Sequence, residues 1–106
     1  MSKSYKIEIT TTAETEAEEA ILRLKKYSPE AAKRFQEGLV KSIKSLQSNP
    51  FRCSLAAESD FFYEEIRQLI YGKYRILITI DRETVYILHI RHSSQAFIKQ
   101  TFEEEE

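Results

Sequence analysis

Arginine and histidine are the side chains of this sequence best suited to chemistry on a phosphate group, and several of them fall in its second half. Arg67, Arg75 and Arg91 lie in stretches where polar and apolar residues alternate, and His92 follows Arg91 directly. A guanidinium group can pair with two phosphate oxygens at once, and an imidazole can donate or accept a proton near neutral pH. Arg67, Arg75, Arg91 and His92 are therefore a candidate catalytic set for a reaction on phosphate.

The inventory of thiols and metal ligands is small. Cys53 is the only cysteine, and His89 and His92 are the only histidines. A disulfide within the chain is excluded, and a structural zinc site needs four cysteine or histidine ligands. We therefore predict that the protein uses no metal and no cofactor, and that Cys53 is inert. An unpaired cysteine also agrees with a reducing cytoplasm.

Nothing in the sequence predicts a membrane-spanning or export segment. No stretch approaches the roughly 18 to 20 apolar residues that cross a bilayer. Residues 1–9 carry charges where a signal peptide would be apolar. The predicted localisation is cytoplasmic.

The charge distribution separates a mildly basic body from an acidic end. The 106 residues carry a net charge of −1, but residues 103–106 are all glutamate, and without these four groups the net charge would be +3. A chain of this length has room for one hydrophobic core. We predict a single domain over residues 1–102 and an acidic tail over residues 103–106. The basic body is too weakly charged to indicate nucleic-acid binding by itself.

The first half of the chain predicts a strand and two helices. Residues 5–10 alternate apolar and polar side chains as a strand does. Threonines at 10–12 can cap a first helix, and Ser28 followed by Pro29 restarts a second helix that continues to about Ser48. Two helices joined by so short a break must fold back as an antiparallel hairpin.

The second half predicts a loop and then three strands. Residues 51–62 lack periodicity, whereas residues 63–71, 74–81 and 84–91 read as strands joined by tight turns. The order is β-α-α-β-β-β. We predict an α+β two-layer sandwich with the helical hairpin on one face of a mostly antiparallel four-stranded sheet.

Alternation along the strands assigns side chains to the two faces of this sheet. Ile76, Ile78 and Ile80 share one face, which must meet the helices. The same reasoning points Ile66 and Ile70 inward, together with Tyr86, Leu88 and Ile90. The side chains predicted on the open face combine aliphatic and cationic groups: Arg67, Leu69, Tyr71, Arg75, Leu77, Thr79, Val85, Ile87, His89 and Arg91.

A face of this composition suits a partner that carries hydrophobic anchors and acidic groups. We predict that Arg67, Leu69, Arg75, Leu77, Ile87, His89 and Arg91 bind such a partner. Two alternatives stay open. A loop, or residues 93–102, could cover the open face. A β-bulge could also shift the alternation by one residue and exchange the faces.

The ordered motifs resemble the ParE/RelE superfamily of toxins, often called plasmid stabilisation proteins. The resemblance rests on EIRQLIYGKYRI at residues 65–76 and VYILHIRH at residues 85–92, with SPEAA and NPFRC around the second helix. It implies the toxin of a type II toxin–antitoxin module, around which an antitoxin wraps an extended and partly helical segment. ParE-like members act on DNA gyrase, whereas RelE-like members cut mRNA in the ribosomal A site.

Three functions follow from the resemblance. A ParE-like growth inhibitor directed at gyrase would need no catalytic residue. A RelE-like ribonuclease would use Arg67, Arg75, Arg91 and His92, but no lysine cluster lies on the predicted sheet and the acidic tail would repel RNA. A toxin fold without activity would serve as a binding module. We rank the gyrase-directed toxin first, with the antitoxin as its partner.

Overall fold

Two helices pack on one face of a β-sheet in the computed structural model, which describes residues 4–96. Three short 3-10 turns connect the longer elements, at Ser45–Gln47, Pro50–Arg52 and Ala57–Phe61. The helices and strands are β1 (Lys6–Ile9), α1 (Thr11–Tyr27), α2 (Pro29–Lys44), β2 (Ser54–Leu55), β3 (Arg67–Tyr71), β4 (Tyr74–Asp81) and β5 (Thr84–His92).

The predicted α+β class and helical hairpin are confirmed, but the predicted sheet is only partly right. Within residues 4–96 the sheet has five strands in the order β1-β5-β4-β3-β2. β1 runs parallel to β5, and the other neighbouring strands are antiparallel, so the sheet is mixed. The extra strand, β2, spans two residues inside the segment predicted as a loop, and so short a strand leaves no periodicity to detect.

Local capping explains why the hairpin was predictable. The Thr10 side chain accepts a hydrogen bond from the Ala13 amide, which starts α1. Ser28 ends α1 by donating its backbone N–H to Leu24 O, and its side chain accepts from the Ala31 amide to start α2. One serine therefore serves both helices. α2 ends at Lys44, earlier than the predicted Ser48, because residues 45–47 tighten into a 3-10 turn.

The main hydrophobic core lies between the hairpin and the sheet. Ala13 and Ala20 of α1 are fully buried, and their small side chains allow α1 to approach its neighbours closely. Tyr27, which the helical spacing placed on the same stripe, is instead 89% exposed at the end of α1. Besides Ala13, the buried members of this core are Leu39, Ile43, Leu46, Cys53, Ile76, Ile78, Val85, Ile87 and Ile90.

Because of a β-bulge in β5, several side chains of that strand lie on the face opposite to the predicted one. Ile87 pairs with Ile78 and His89 pairs with Leu77, so Leu88 is an extra residue without a partner in the ladder. Val85 and Ile87 therefore join the helix-side core, and the prediction that they lie on the open face was wrong. Leu88 packs on the open side, whereas Ile90 packs in the core as predicted.

The faces of β3 are reversed relative to the prediction. Arg67, Leu69 and Tyr71 are opposite Ile78, Ile76 and Tyr74. Directly paired residues point to the same face of a sheet. All three therefore lie on the helix side, where Leu69 and Tyr71 pack against the core. The prediction failed because it took apolar Ile66 and Ile70 to be inward, although Ile66 is buried on the opposite face and Ile70 is 58% exposed.

Candidate functional site

The open face of the sheet is partly covered by the segment that leads from β2 to β3. Ala56 and Ile66 from this segment pack on Leu77 of β4, with Phe62 and Leu88 at the border. The alternative that a loop covers the open face is therefore confirmed in part, since Ile70 on the same face stays 58% exposed. The other proposed cover, residues 93–102, lies outside the described residues from 97 onwards. The covered face cannot offer Leu77, which is 1% exposed, to a partner without movement of the loop.

Arg75 is buried beneath this cover in an ion pair with Glu58. Its Nη1 and Nη2 atoms donate to the two carboxylate oxygens of Glu58 over 2.9 and 2.6 Å, and its Nε atom donates to Gln68 over 3.0 Å. The side chains of Arg75 and Glu58 are 8% and 1% exposed. A guanidinium group held in this way is already neutralised and is not free to hold a phosphate. Sequence reasoning did not identify Glu58.

Arg67 connects β3 to the residues before β2, on the helix side of the sheet. Its Nη1 atom donates to Cys53 O over 2.7 Å, and its Nη2 atom lies 3.2 Å from the carboxylate of Glu65. The guanidinium carbon lies 5.2 Å from the centre of the Phe51 ring, within the range of a cation–π contact. These contacts connect β3 to the turn before β2, which is a structural role.

Arg91 and His92 are consecutive and therefore point to opposite faces of β5. Arg91 lies on the open side as the cross-strand neighbour of Arg75, and its Nη2 atom donates to Ala96 O over 2.8 Å. Its buried Nε atom has no hydrogen-bond partner within residues 4–96. The His92 ring lies edge-on to Tyr74 on the helix side, and its Nδ1 atom accepts from the Ser94 amide over 3.0 Å.

The candidate catalytic set is consequently divided. Arg75 and Arg91 share the open face, whereas Arg67 and His92 lie on the helix side. The prediction that all three arginines share one face was wrong. Of the residues predicted to bind a partner, Leu69 and Ile87 also lie on the helix side, and only Arg75, Leu77, His89 and Arg91 lie on the open face.

His89 is held by a helix residue that sequence reasoning did not single out. Its Nδ1 atom lies 3.2 Å from Glu16 Oε2, and Glu16 Oε1 accepts the Ile90 amide over 2.8 Å. Glu16 therefore connects α1 to the bulged part of β5. His89 also borders a cleft of about 260 Å³ between α1, the covering segment and the sheet. The lining of this cleft combines apolar side chains with Glu58, Glu64, Thr10 and Thr12.

A second depression, the aromatic groove, lies on the other side of the molecule, between the hairpin and the β3–β4 turn. It has a volume of about 440 Å³, and Arg34 and Lys73 stand at its rim. Tyr71 shapes one wall by donating its hydroxyl to Phe35 O over 3.2 Å, across α2 at Gly38. The floor and walls are formed by Leu24, Phe35, Tyr71, Tyr74 and His92.

The remaining chemistry-bearing group, Cys53, is buried in the core. Burial raises the pKa of its thiol, and Arg52 and Arg67 oppose that shift only in part. The thiolate needed for nucleophilic attack is thus disfavoured. Among residues 4–96, no three histidine, cysteine, aspartate or glutamate side chains are grouped as a metal site would require. No helix within these residues is long and apolar enough to cross a membrane.

The fold and the dispersed polar groups define a small α+β module with a helical hairpin on a mixed sheet. The sequence matches the family described as "ParE toxin of type II toxin-antitoxin system, parDE" over residues 7–97. The chain belongs to the ParE toxin family, as the motifs at residues 65–76 and 85–92 indicated.

One solved structure with a similar fold is the chromosomal ParDE TA system from P. aeruginosa. Its matching chain is 16% identical with a TM-score of 0.72, and the match covers 85% of this chain and 97% of that chain. At this level of identity the likeness establishes the fold alone. No curated protein matches the sequence.

Proposed function

We propose that this protein is the toxin component of a type II toxin–antitoxin module, that it arrests growth by inhibiting DNA gyrase, and that a cognate antitoxin neutralises it in the cytoplasm. Membership of the ParE toxin family supports the toxin role and the presence of an antitoxin partner. The toxin acts by binding a protein, so it needs no catalytic residue of its own.

The choice of gyrase over RNA as the target rests on the burial and hydrogen bonding of Arg75. Cleavage of RNA needs cationic groups that can reach the phosphate and a nearby group that transfers a proton. Arg75 is instead buried and saturated by Glu58 and Gln68, while Arg67 and His92 point away from it. The four residues of the ribonuclease hypothesis therefore do not converge on one substrate, which favours the gyrase-directed toxin over a ribosome-dependent nuclease.

The first experiment asks whether the protein is a toxin. Expression is induced in a bacterial host, and colony-forming units are counted over time. We expect growth arrest, and we expect it to be relieved when the protein encoded beside the toxin gene is co-expressed. Folded protein, verified by circular dichroism, that leaves growth unaffected would identify an inactive binding module and overturn the proposal.

The second experiment identifies the target. Purified protein is added to DNA gyrase acting on relaxed plasmid, and separately to a translating ribosome extract with a labelled mRNA. We expect supercoiling to be inhibited while the mRNA stays intact. Cleaved mRNA together with unaffected gyrase would instead support the hypothesis of a ribosome-dependent nuclease.

A further inference from the structure

The aromatic groove has the features of a binding surface for a peptide segment. Its aromatic rings form a continuous row. The centroid of the Phe35 ring lies 5.6 Å from that of Tyr71 and 4.9 Å from that of Tyr74, and the Tyr74 and His92 centroids are 5.2 Å apart. All four residues are partly buried and line the groove. Large half-exposed aromatic side chains are typical of the centre of protein interfaces.

The charged residues at the rim of the groove are both cationic. Arg34 of α2 and Lys73 of the β3–β4 turn border the groove and are exposed, and no carboxylate of residues 4–96 lines it. Neither cation forms an ion pair with any acidic group of residues 4–96. The open face differs in this respect, because Glu58 neutralises Arg75 there. Unopposed cations around an apolar floor attract carboxylates that flank an apolar anchor.

We propose that the aromatic groove binds an acidic segment of the antitoxin. An apolar side chain of the segment enters between Leu24, Phe35 and Tyr74, and flanking carboxylates pair with Arg34 and Lys73. The inference rests on the proposed function for the existence of the antitoxin. It moves the contact that the sequence placed on the open face to the opposite side of the sheet, where the unneutralised charge and the accessible apolar surface coincide.

The test measures the affinity of purified full-length toxin for the purified protein encoded beside its gene, by titration calorimetry at two NaCl concentrations. The variant Arg34→Glu/Lys73→Glu reverses both rim charges without altering the floor. We expect its dissociation constant to rise at least about tenfold, since attraction becomes repulsion at two contacts. We also expect its affinity to depend less on NaCl than that of the original protein.

A matched control reverses two exposed cations at the far end of the sheet. Lys6 begins β1 and Arg82 lies in the β4–β5 turn, and both are exposed. Lys6→Glu/Arg82→Glu changes the net charge by the same amount, so it controls for long-range electrostatics. We expect this variant to keep the original affinity within about twofold. An equal loss in both double variants would overturn the groove as the specific site.

A second variant tests the groove without changing charge. Ala31 lines the groove and is partly buried at the start of α2, so Ala31→Trp would occupy its space while Pro29 and Ser28 still begin the helix. We expect weakened antitoxin binding with unchanged circular dichroism. In the original protein, the amide resonances of Gly72 and Lys73 should shift when the antitoxin is added. Binding by Ala31→Trp at the original affinity would contradict the inference.

The outcomes separate this inference from the proposed function. If the neighbouring gene product does not bind the original toxin at all, the proposed toxin–antitoxin pair fails. If it binds the original protein and the groove variants equally well, the pair stands and the groove inference fails. The sedimentation of the toxin without antitoxin is compared before and after the substitution Arg34→Glu/Lys73→Glu. A difference would show that the groove contacts a second copy of this chain, which also overturns the inference.

Discussion

Glu58 and Arg75 form a bidentate ion pair beneath the segment that covers the open face of the sheet. The two hydrogen bonds measure 2.6 and 2.9 Å, and both side chains are less than a tenth exposed. A buried pair of this geometry is stable only while both partners are present, because either charge alone would be desolvated without compensation. The pair therefore fixes the covering segment over a face that the sequence predicted to be free.

Replacing Glu58 with glutamine should destabilise the protein strongly. The variant leaves the Arg75 charge buried without a counter-ion, which costs about 3 to 5 kcal/mol of the free energy of unfolding. Urea denaturation followed by circular dichroism measures this loss. Glu65→Gln is the matched control, because Glu65 is 66% exposed in its contact with Arg67 and its loss should cost no more than about 1 kcal/mol.

The double variant Glu58→Leu/Arg75→Met tests the reason for that loss. Removing both charges together leaves no uncompensated ion, so we expect it to recover most of the stability lost in Glu58→Gln. If Glu58→Gln is no less stable than Glu65→Gln, the ion pair does not hold the covering segment.

The position of Gly38 in α2 should be intolerant of a larger side chain. A Cβ atom there would lie 2.7 Å from Cζ of Tyr71 and closer still to its hydroxyl, which donates to Phe35 O. Although alanine favours helix, we expect Gly38→Ala to lower the free energy of unfolding by about 1 to 3 kcal/mol through this overlap. Gln36→Ala, at an exposed site of the same helix, should have the neutral or slightly stabilising effect that helix propensity predicts.

The two substitutions are compared by urea denaturation. Combining Gly38→Ala with Tyr71→Phe removes the atom closest to the new methyl group, so the two changes should cost less together than the sum of their separate effects. Additive losses would show that Tyr71 is not what excludes a side chain at residue 38.

Cys53 should react slowly with thiol reagents in the folded protein. Its thiol is 5% exposed, and burial raises its pKa, so both access and thiolate population are low. We expect the rate of reaction with a disulfide reagent at neutral pH to rise by orders of magnitude on addition of urea. Cys53→Ala, which has no thiol, provides the blank for this assay.

The same pKa shift predicts a pH dependence of stability. The unfolded thiol loses its proton at its ordinary pKa, whereas the folded thiol keeps its proton to higher pH because its pKa is raised. Between these two values the folded state holds more protons, so the free energy of unfolding falls as pH rises through that window. The free energy of unfolding is measured across this pH range for the original protein and for Cys53→Ala. The difference between the two slopes isolates the thiol from the titration of lysine and tyrosine. An equal slope in both proteins would contradict it.

The helical hairpin was predictable from sequence because its signals are local. Ser28 and Pro29 act through hydrogen bonds and backbone geometry within a few residues, and no distant contact is needed to place the break. The core of β4 was equally predictable, since Ile76 and Ile78 share a face in an unbroken strand. These features depend on short-range spacing alone.

The candidate site was not predictable in the same way because it depends on contacts between distant segments. The bulge at Leu88 is a property of the β4–β5 pair. It places Val85 and Ile87 on the face opposite to the predicted one, and no glycine or proline marks it in the sequence. Glu58 lies in an aperiodic segment and acquires its role only by meeting Arg75. One signal was available: residues 76–78 are apolar without alternation, a pattern typical of strands covered on both faces.

Glu16 should be required to hold α1 against the bulged part of β5. One of its carboxylate oxygens accepts the Ile90 amide over 2.8 Å and the other lies 3.2 Å from His89 Nδ1. Replacing Glu16 with alanine leaves that partly buried N–H without its acceptor, so we expect a loss of about 1 to 3 kcal/mol in the free energy of unfolding. Hydrogen exchange of the Ile90 amide, measured by NMR, should also accelerate.

Glu18→Ala is the control for this prediction, because Glu18 is exposed on the same helix and its substitution removes an equal charge. It should leave both stability and Ile90 exchange nearly unchanged. Glu16→Gln separates the two contacts of Glu16. The amide oxygen can still accept from Ile90, whereas the carboxylate contact with the His89 ring is lost, so Ile90 should stay protected even if the free energy of unfolding falls. Unprotected Ile90 in the original protein would show that Glu16 does not secure the bulge.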